Sequence, residues 1–194
     1  MKYTTKNVVA GFHGIKKKEL VPYSIARTVI EYAQMREILA GKHFNYAAEI
    51  GCGYGRLLPF LAEIATDVHG FERDATLWST AARLNPTAGI WKLEHLRDRL
   101  LDVYMPPVNF ILTFTFLQHL ENDHAEEILS VISQSPAQTI LLCEQTEGNS
   151  RHCHGRLIEW YASRLPNFTL AKIEPRRVDP ASVSNAHYML FERK

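Results

Sequence analysis

Residues 47–64 read AAEIGCGYGRLLPFLAEI. An apolar run closes at Ile50. Gly51, Gly53 and Gly55 then alternate with Cys52 and Tyr54, and a second apolar pattern begins after Arg56. Glycine inside an element costs roughly 0.5–1 kcal/mol relative to alanine. Three of them at one seam mean that bare backbone is what the position needs. The run before the seam has the length of a strand. The run after it puts Leu57, Leu58, Leu61 and Ile64 on one helical side, with Pro59 in the first turn, where a missing N–H does least harm. The stretch therefore predicts a strand, a glycine turn and a helix.

Working outward, the alternation repeats. Ser24 is placed to cap a helix carrying Ile25, Val29, Tyr32, Met35 and Leu39 at helical spacing, with Gly41 as its stop. Strands are expected at Tyr46–Ile50, Val68–Phe71, Ile90–Leu93, Val108–Thr113 and Thr139–Cys143. Between and after them come helices over Arg56–Ala65, from an Asp74 cap to Leu84, from an Asp123 cap to Ile132, and over Leu157–Arg164. The last two strands, Phe168–Ile173 and His187–Glu192, are joined by the turn-rich EPRRVDPASVSNA, so they should pair antiparallel. Helices between strands demand parallel crossovers. The expected fold is α/β: a Rossmann-like three-layer α/β/α sandwich whose seven-stranded sheet is mostly parallel, with one antiparallel strand near the C-terminal edge. Residues 1–194 form one domain in this reading, with 1–43 an arm and helix acting as a lid on a core of 44–194.

Composition narrows the partners. The 194 residues are 46% hydrophobic and 22% charged, with a net charge of +1. That balance gives no global reason to bind nucleic acid or an anionic membrane. Cys52, Cys143 and Cys153 form no CxxC, no stretch approaches the about 18 apolar residues of a membrane helix, and the N-terminus lacks a signal-peptide core. A cytoplasmic protein is expected. RHCHG at 151–155 has metal-ligand residue types but not the four-ligand spacing of a structural zinc site, so no metal is expected.

Ligands of open α/β sheets lie beyond the carboxyl ends of the strands, which is where the glycines stand. The dinucleotide fingerprint GxGxxG would need its third glycine at Arg56, and the phosphate loop GxxxxGK[ST] is absent. Glu49, just before the turn, suits an ammonium group better than a pyrophosphate. Glu72 ends the second strand 21 positions after Gly51, where a carboxylate can accept from ribose hydroxyls. These features imply a ligand with a ribose, a cationic group and no essential phosphate.

With these residues in view, the chain resembles the class I S-adenosylmethionine-dependent methyltransferases. EIGCGYG (49–55) matches their acidic-x-GxGxG motif, Glu72 their second-strand acid, and FILTFTFLQHLEND (110–123) their fourth-strand segment. The resemblance covers roughly residues 44–194. It implies S-adenosyl-L-methionine as cofactor and S-adenosyl-L-homocysteine as product. Glu49 would hold the methionine ammonium, Gly51, Cys52 and Gly53 the methionine part along their backbone, and Glu72 the ribose. Glu94 would face the adenine amine, with His95 close by and Asp98 a rival. Thr113 and Phe114 would border the sulfonium end, with Gln118 nearby. Asn109 stands where many relatives carry an aspartate of structural importance. The implied activity is methyl transfer to a small molecule or a protein terminus. A non-catalytic binder of the same cofactor is the alternative, and a nicotinamide-dependent oxidoreductase is disfavoured by Arg56.

For the acceptor, the segment Glu144–Tyr161 should overhang the methyl group, because strand Thr139–Cys143 ends on the same edge as the glycine turn. Glu144, His152 and His154 are its candidate catalytic groups, with Arg156 and Tyr161 beside them. Histidine, with an ordinary pKa of about 6.5, suits proton transfer near neutrality. His119 reads equally as a pocket residue or a packed one, and Cys52 as a small filler.

Overall fold

The computed structural model describes residues 20–102, 107–150, 153–179 and 182–194. The arm up to residue 19 and His152 lie outside them. The elements are α1 (Leu20–Leu39), β1 (Phe44–Ile50), α2 (Leu58–Ile64), β2 (Ala65–Glu72), α3 (Ala75–Leu84), β3 (Gly89–Lys92), α4 (Leu96–Leu101), β4 (Phe110–Phe114), α5 (Asn122–Gln134), β5 (Thr139–Gln145), β6 (Asn149–Ser150), β7 (Cys153–His154), α6 (Ile158–Ser163), β8 (Phe168–Asp179) and β9 (Ser182–Arg193). Short 3-10 turns over Leu93–His95 and Leu117–His119 follow β3 and β4.

The main sheet has the order β3-β2-β1-β4-β5-β9-β8. Pairings from β3 to β5 are parallel, and β9 runs antiparallel to both of its neighbours. Alternation along the strands builds two cores. Phe110, Leu112 and Phe114 of β4 face Met35 and Leu39 of α1 and Phe60 and Leu61 of α2. Ile111 of β4, with Ile140 and Leu142 of β5, faces Leu129 and Ile132 of α5 and Tyr161 of α6. The seven-stranded, mostly parallel sheet with one reversed strand is the expected one. No helix among the described residues is long and apolar enough to cross a membrane.

Local chemistry explains where the element boundaries differ. Asp74 caps α3, its carboxylate accepting from Thr76 N and Leu77 N at 2.9 Å. Asp123, by contrast, is not the cap of α5: Glu121 holds that position without a side-chain bond, and Asp123 bonds the neighbouring N–H of His124. Helix α1 begins at Leu20, which leaves Ser24 inside it.

The largest difference is at the C-terminus, where most of the turn-rich stretch is strand. β8 and β9 form a hairpin of two 12-residue strands with register irregularities around Arg177. Pro175 is tolerated because β8 is an edge strand, where a missing donor breaks no ladder. Gln34 of α1 occupies that edge: its amide donates to Pro175 O at 2.7 Å and accepts from Arg177 N at 2.9 Å. Asn109 keeps a structural task, tying the start of β4 to Tyr46 of β1 through side chain and backbone.

Candidate functional site

All three glycines of the turn after β1 are left-handed, with φ of +76°, +57° and +81°, but their surroundings differ. A side chain at Gly51 would strike the Phe116 ring at 2.2 Å, and one at Gly55 would strike Asn85 at 2.4 Å. A side chain at Gly53 would meet none of the described residues within 4 Å. The turn is closed by packing at both ends and open in the middle.

Two acids flank the opening. Glu72, at the end of β2, accepts from Gly53 N through Oε2 and from Arg73 N and Asp74 N through Oε1, each at 2.8 Å. Its carboxylate is thereby fixed beside the turn with lone pairs to spare. Glu49, at the end of β1, is 3% exposed, and its Oε2 has no hydrogen-bond partner among the described residues. Burial pushes its carboxyl up to about 8, with Arg56 pulling down and Glu72 pushing up. An unpartnered buried acceptor beside open backbone is a place for a cationic donor. Cys52 offers less: its N–H and that of Gly51 both go to Phe71 O, and burial pushes its thiol far up, which makes it inert.

Beyond Glu72, a cavity of about 360 Å³ is lined by Arg73, Lys92, Leu93, Glu94, Leu120 and His124, among others. Glu94 borders it, while Asp98 and His95 are not among its lining residues. The exposed Glu94 carboxylate lies 3.7 Å from Lys92 Nζ and 3.8 Å from His95 Nε2.

The segment after β4 is held from below. Glu144, fully buried near the end of β5, accepts from Thr113 Oγ1 at 2.8 Å, Phe116 N at 3.2 Å and Gln118 N at 3.1 Å. Burial pushes its carboxyl up to about 7 while those bonds pull it down. Gln118 accepts from Gln145 N and points its amide nitrogen at Cys153 Sγ. This grip supports Thr115 in the left-handed region at φ +51°, a conformation costing of order 1–3 kcal/mol in a non-glycine residue, and it seats Phe116 on Gly51.

Thr113, Gln118 and Glu144 thus belong to one buried clamp, and Glu144 lies inside the loop rather than overhanging it. Arg156 is likewise a staple, bonding Leu117 O, Leu120 O and Asn122 Oδ1. Tyr161 is buried in the core. Of the histidines proposed from sequence, His154 sits half-exposed on β7, with Nε2 at 3.6 Å from Glu121 Oε1. Cys153 Sγ is 3.7 Å from His119 Nδ1.

Three features had no sequence signal. Phe116 is the lid on Gly51. Tyr32 of α1 donates to Arg56 O at 2.8 Å and ties the helix to the turn. Phe114 is flanked by the guanidinium groups of Arg56 and Arg176, its ring turned away from the Glu144 clamp.

Solved structures share this fold. Magnesium protoporphyrin IX methyltransferase from Synechocystis PCC 6803, with bound S-adenosylmethionine, superposes over 100% of this chain and 86% of its own, with a TM-score of 0.63 at 12% identity. The fold is that of the class I methyltransferases. A TehB-like S-adenosylmethionine-dependent methyltransferase from Corynebacterium glutamicum gives 0.60 at 18% identity, over 84% of this chain and 96% of that one. The mitomycin 7-O-methyltransferase MmcR gives 0.64 at 14% identity, over 95% of this chain and 62% of that one. No protein-family model and no curated protein matches the sequence. In this methyltransferase fold the glycine turn, Glu72 and the cavity lie along the carboxyl ends of β1, β2 and β3, and Phe114 ends β4.

Proposed function

We propose that the protein is a methyltransferase that binds S-adenosylmethionine at the glycine turn and methylates a small molecule or a protein terminus, in a reduced cytoplasmic setting. The observation that carries this is the buried Oε2 of Glu49, four residues before Gly53, which has no hydrogen-bond partner among the described residues, while a side chain at Gly53 would meet none of them within 4 Å. One structural neighbour with the same fold, solved both with S-adenosylmethionine and with S-adenosylhomocysteine bound, supports it.

The residues fit such a cofactor. Glu49 takes the ammonium, Gly53 gives the methionine part room against the backbone, and Glu72 receives the ribose hydroxyls. Glu94 faces the adenine amine across the cavity. When bound, the cofactor supplies a methyl group on a sulfonium, already an excellent leaving group. What the chain adds is alignment and exclusion of water. The Glu144 clamp, which holds Thr113 and Gln118, fixes the loop that borders the reacting end, and Phe114 acts as the wall there. Helix α1, which Tyr32 ties to the turn, serves as the lid on the core. His154, supported by Glu121, and His152 are the groups that would take a proton from an acceptor that has one to lose.

Calorimetry with S-adenosylhomocysteine tests the site. Binding to the parent protein that is abolished by Gly53→Val is the expected result, and unaltered binding by that variant removes the turn from the site. Formation of S-adenosylhomocysteine from S-adenosylmethionine and an acceptor separates a transferase from a binding subunit. His154→Ala should lose transfer while keeping cofactor affinity.

A further inference from the structure

Glu31 lies in the middle of α1 and is fully buried. It accepts from Arg27 Nε at 3.0 Å, and also from Arg56 Nη1 and Arg176 Nη2. Burial alone would raise its carboxyl, but Arg56, Arg176 and Arg27 together hold it below the usual carboxylate range. The three arginines come from separate segments: α1, the residue after the glycine turn, and β8. One forked guanidinium satisfies a carboxylate. Three against one leave two positive charges unbalanced within the cluster.

Among the described residues the neighbouring groups do not balance them. Glu49 faces Arg56 but is largely protonated at neutral pH, and burial pushes both Cys143 and Tyr188 further above their ordinary values. Arg176, with only 8% of its side chain exposed, has an Nε without a hydrogen-bond partner among the described residues. Burying unpaired charge is expensive, so a surplus of this kind at a ligand site points to a negatively charged ligand.

The position fits an acceptor. The guanidinium carbons of Arg56 and Arg176 stand 5.4 and 4.6 Å from the centroid of the Phe114 ring. Phe114 ends β4, beside the switch point between β1 and β4 where ligands of this architecture lie. The side chains of Arg27 and Arg56 remain 21% and 23% exposed, so the cluster can be approached.

We infer that the methyl acceptor is a small anion whose carboxylate or phosphate is held by Arg27, Arg56 and Arg176 beside Phe114. This rests on the methyl-transfer reading above. An anion there is also attracted by a sulfonium, which favours the acceptor once the cofactor is in place.

The test is calorimetry on the full chain saturated with S-adenosylhomocysteine, titrated with benzoate, phenyl phosphate and the neutral benzamide. At least one anion should bind about tenfold or more tightly than benzamide, and the tighter of the two names the anionic group. Arg27→Gln, at the exposed rim, should weaken that anion about tenfold and leave S-adenosylhomocysteine affinity unchanged. Equal binding of benzamide and both anions overturns the inference. So does an Arg27→Gln protein that keeps the parental anion affinity and only melts earlier, the result of a purely structural cluster. If the parent fails to bind S-adenosylhomocysteine, the cofactor reading falls and takes the acceptor with it; if it binds but does not discriminate the anions, the acceptor inference alone falls.

Discussion

Two carboxyl groups buried at the carboxyl edge of the same sheet behave in opposite ways. Glu144, near the end of β5, receives three donors, one from Thr113 of β4 and two from the loop after it. Glu49, at the end of β1, keeps an oxygen without a partner among the described residues, just before a turn whose central glycine none of them covers. Burial raises both, to about 7 and about 8. The difference teaches how to separate framework from ligand site where exposure cannot: a buried acceptor that the chain has satisfied organises the fold, and one that it has left unsatisfied awaits a partner.

The sharpest way to break the comparison is Glu144→Ala. Removing the acceptor strands three donors, at a net cost of about 1 kcal/mol each. For a chain of this size a loss of about 3 kcal/mol lowers the melting temperature by roughly 6–12 °C, readable by calorimetry. An unchanged melting point would mean that the clamp holds nothing.

Glu49→Gln should do the reverse. Cofactor affinity falls roughly tenfold to hundredfold, the worth of a charged hydrogen bond of about 1.5–3 kcal/mol, while the ligand-free protein melts no earlier. The pH dependence has a definite sign. A carboxyl whose folded pKa is raised contributes stability fully present below its unfolded pKa and lost as pH rises through the folded one. The ligand-free protein should therefore lose stability between about pH 4.5 and pH 8. Glu49→Gln should flatten the upper part of that decline in melting curves.

Glu72→Ala comes next. Losing the ribose partner should cost about 1–2 kcal/mol, near tenfold in dissociation constant, with the fold intact by circular dichroism. The smallest effect is the pH profile of binding itself. Below pH 8, pairing Glu49 with an ammonium expels a proton, so affinity rises with pH. Above about 8 an α-amino group loses its own proton, and affinity falls again. A maximum near pH 8, abolished in Glu49→Gln, is the expected result from calorimetry in buffers of differing ionisation enthalpy.

What could be read in the sequence was what is local. The β1–turn–α2 unit is written in the consecutive residues 44–64, and the order of strands follows from alternating patterns. The structure brings Glu72 to Gly53 across 19 positions because β1 and β2 are neighbours. Pairings outside such units were hidden. Whether Glu144 points at solvent or at the β4 loop depends on which strand lies beside β5. Glu31 meets Arg176 from 145 positions away. The β8–β9 hairpin was masked by Pro175, Asp179, Pro180 and Ser182, which signal turns unless the strand is at an edge. Asp123 suits a cap by residue type, but the cap position of α5 is two residues earlier, at Glu121, with no side-chain bond, so residue type alone misplaces its start.

The contact between Gln34 and β8 reaches beyond the mouth of the site. A side-chain amide has the donor and acceptor of a peptide group, so Gln34 stands at Pro175 and Arg177 as a single rung of an absent eighth strand. An uncovered edge recruits strands from other molecules and seeds fibres. Displacing α1 would therefore bare an adhesive margin, and any such displacement would carry a hazard that grows with concentration.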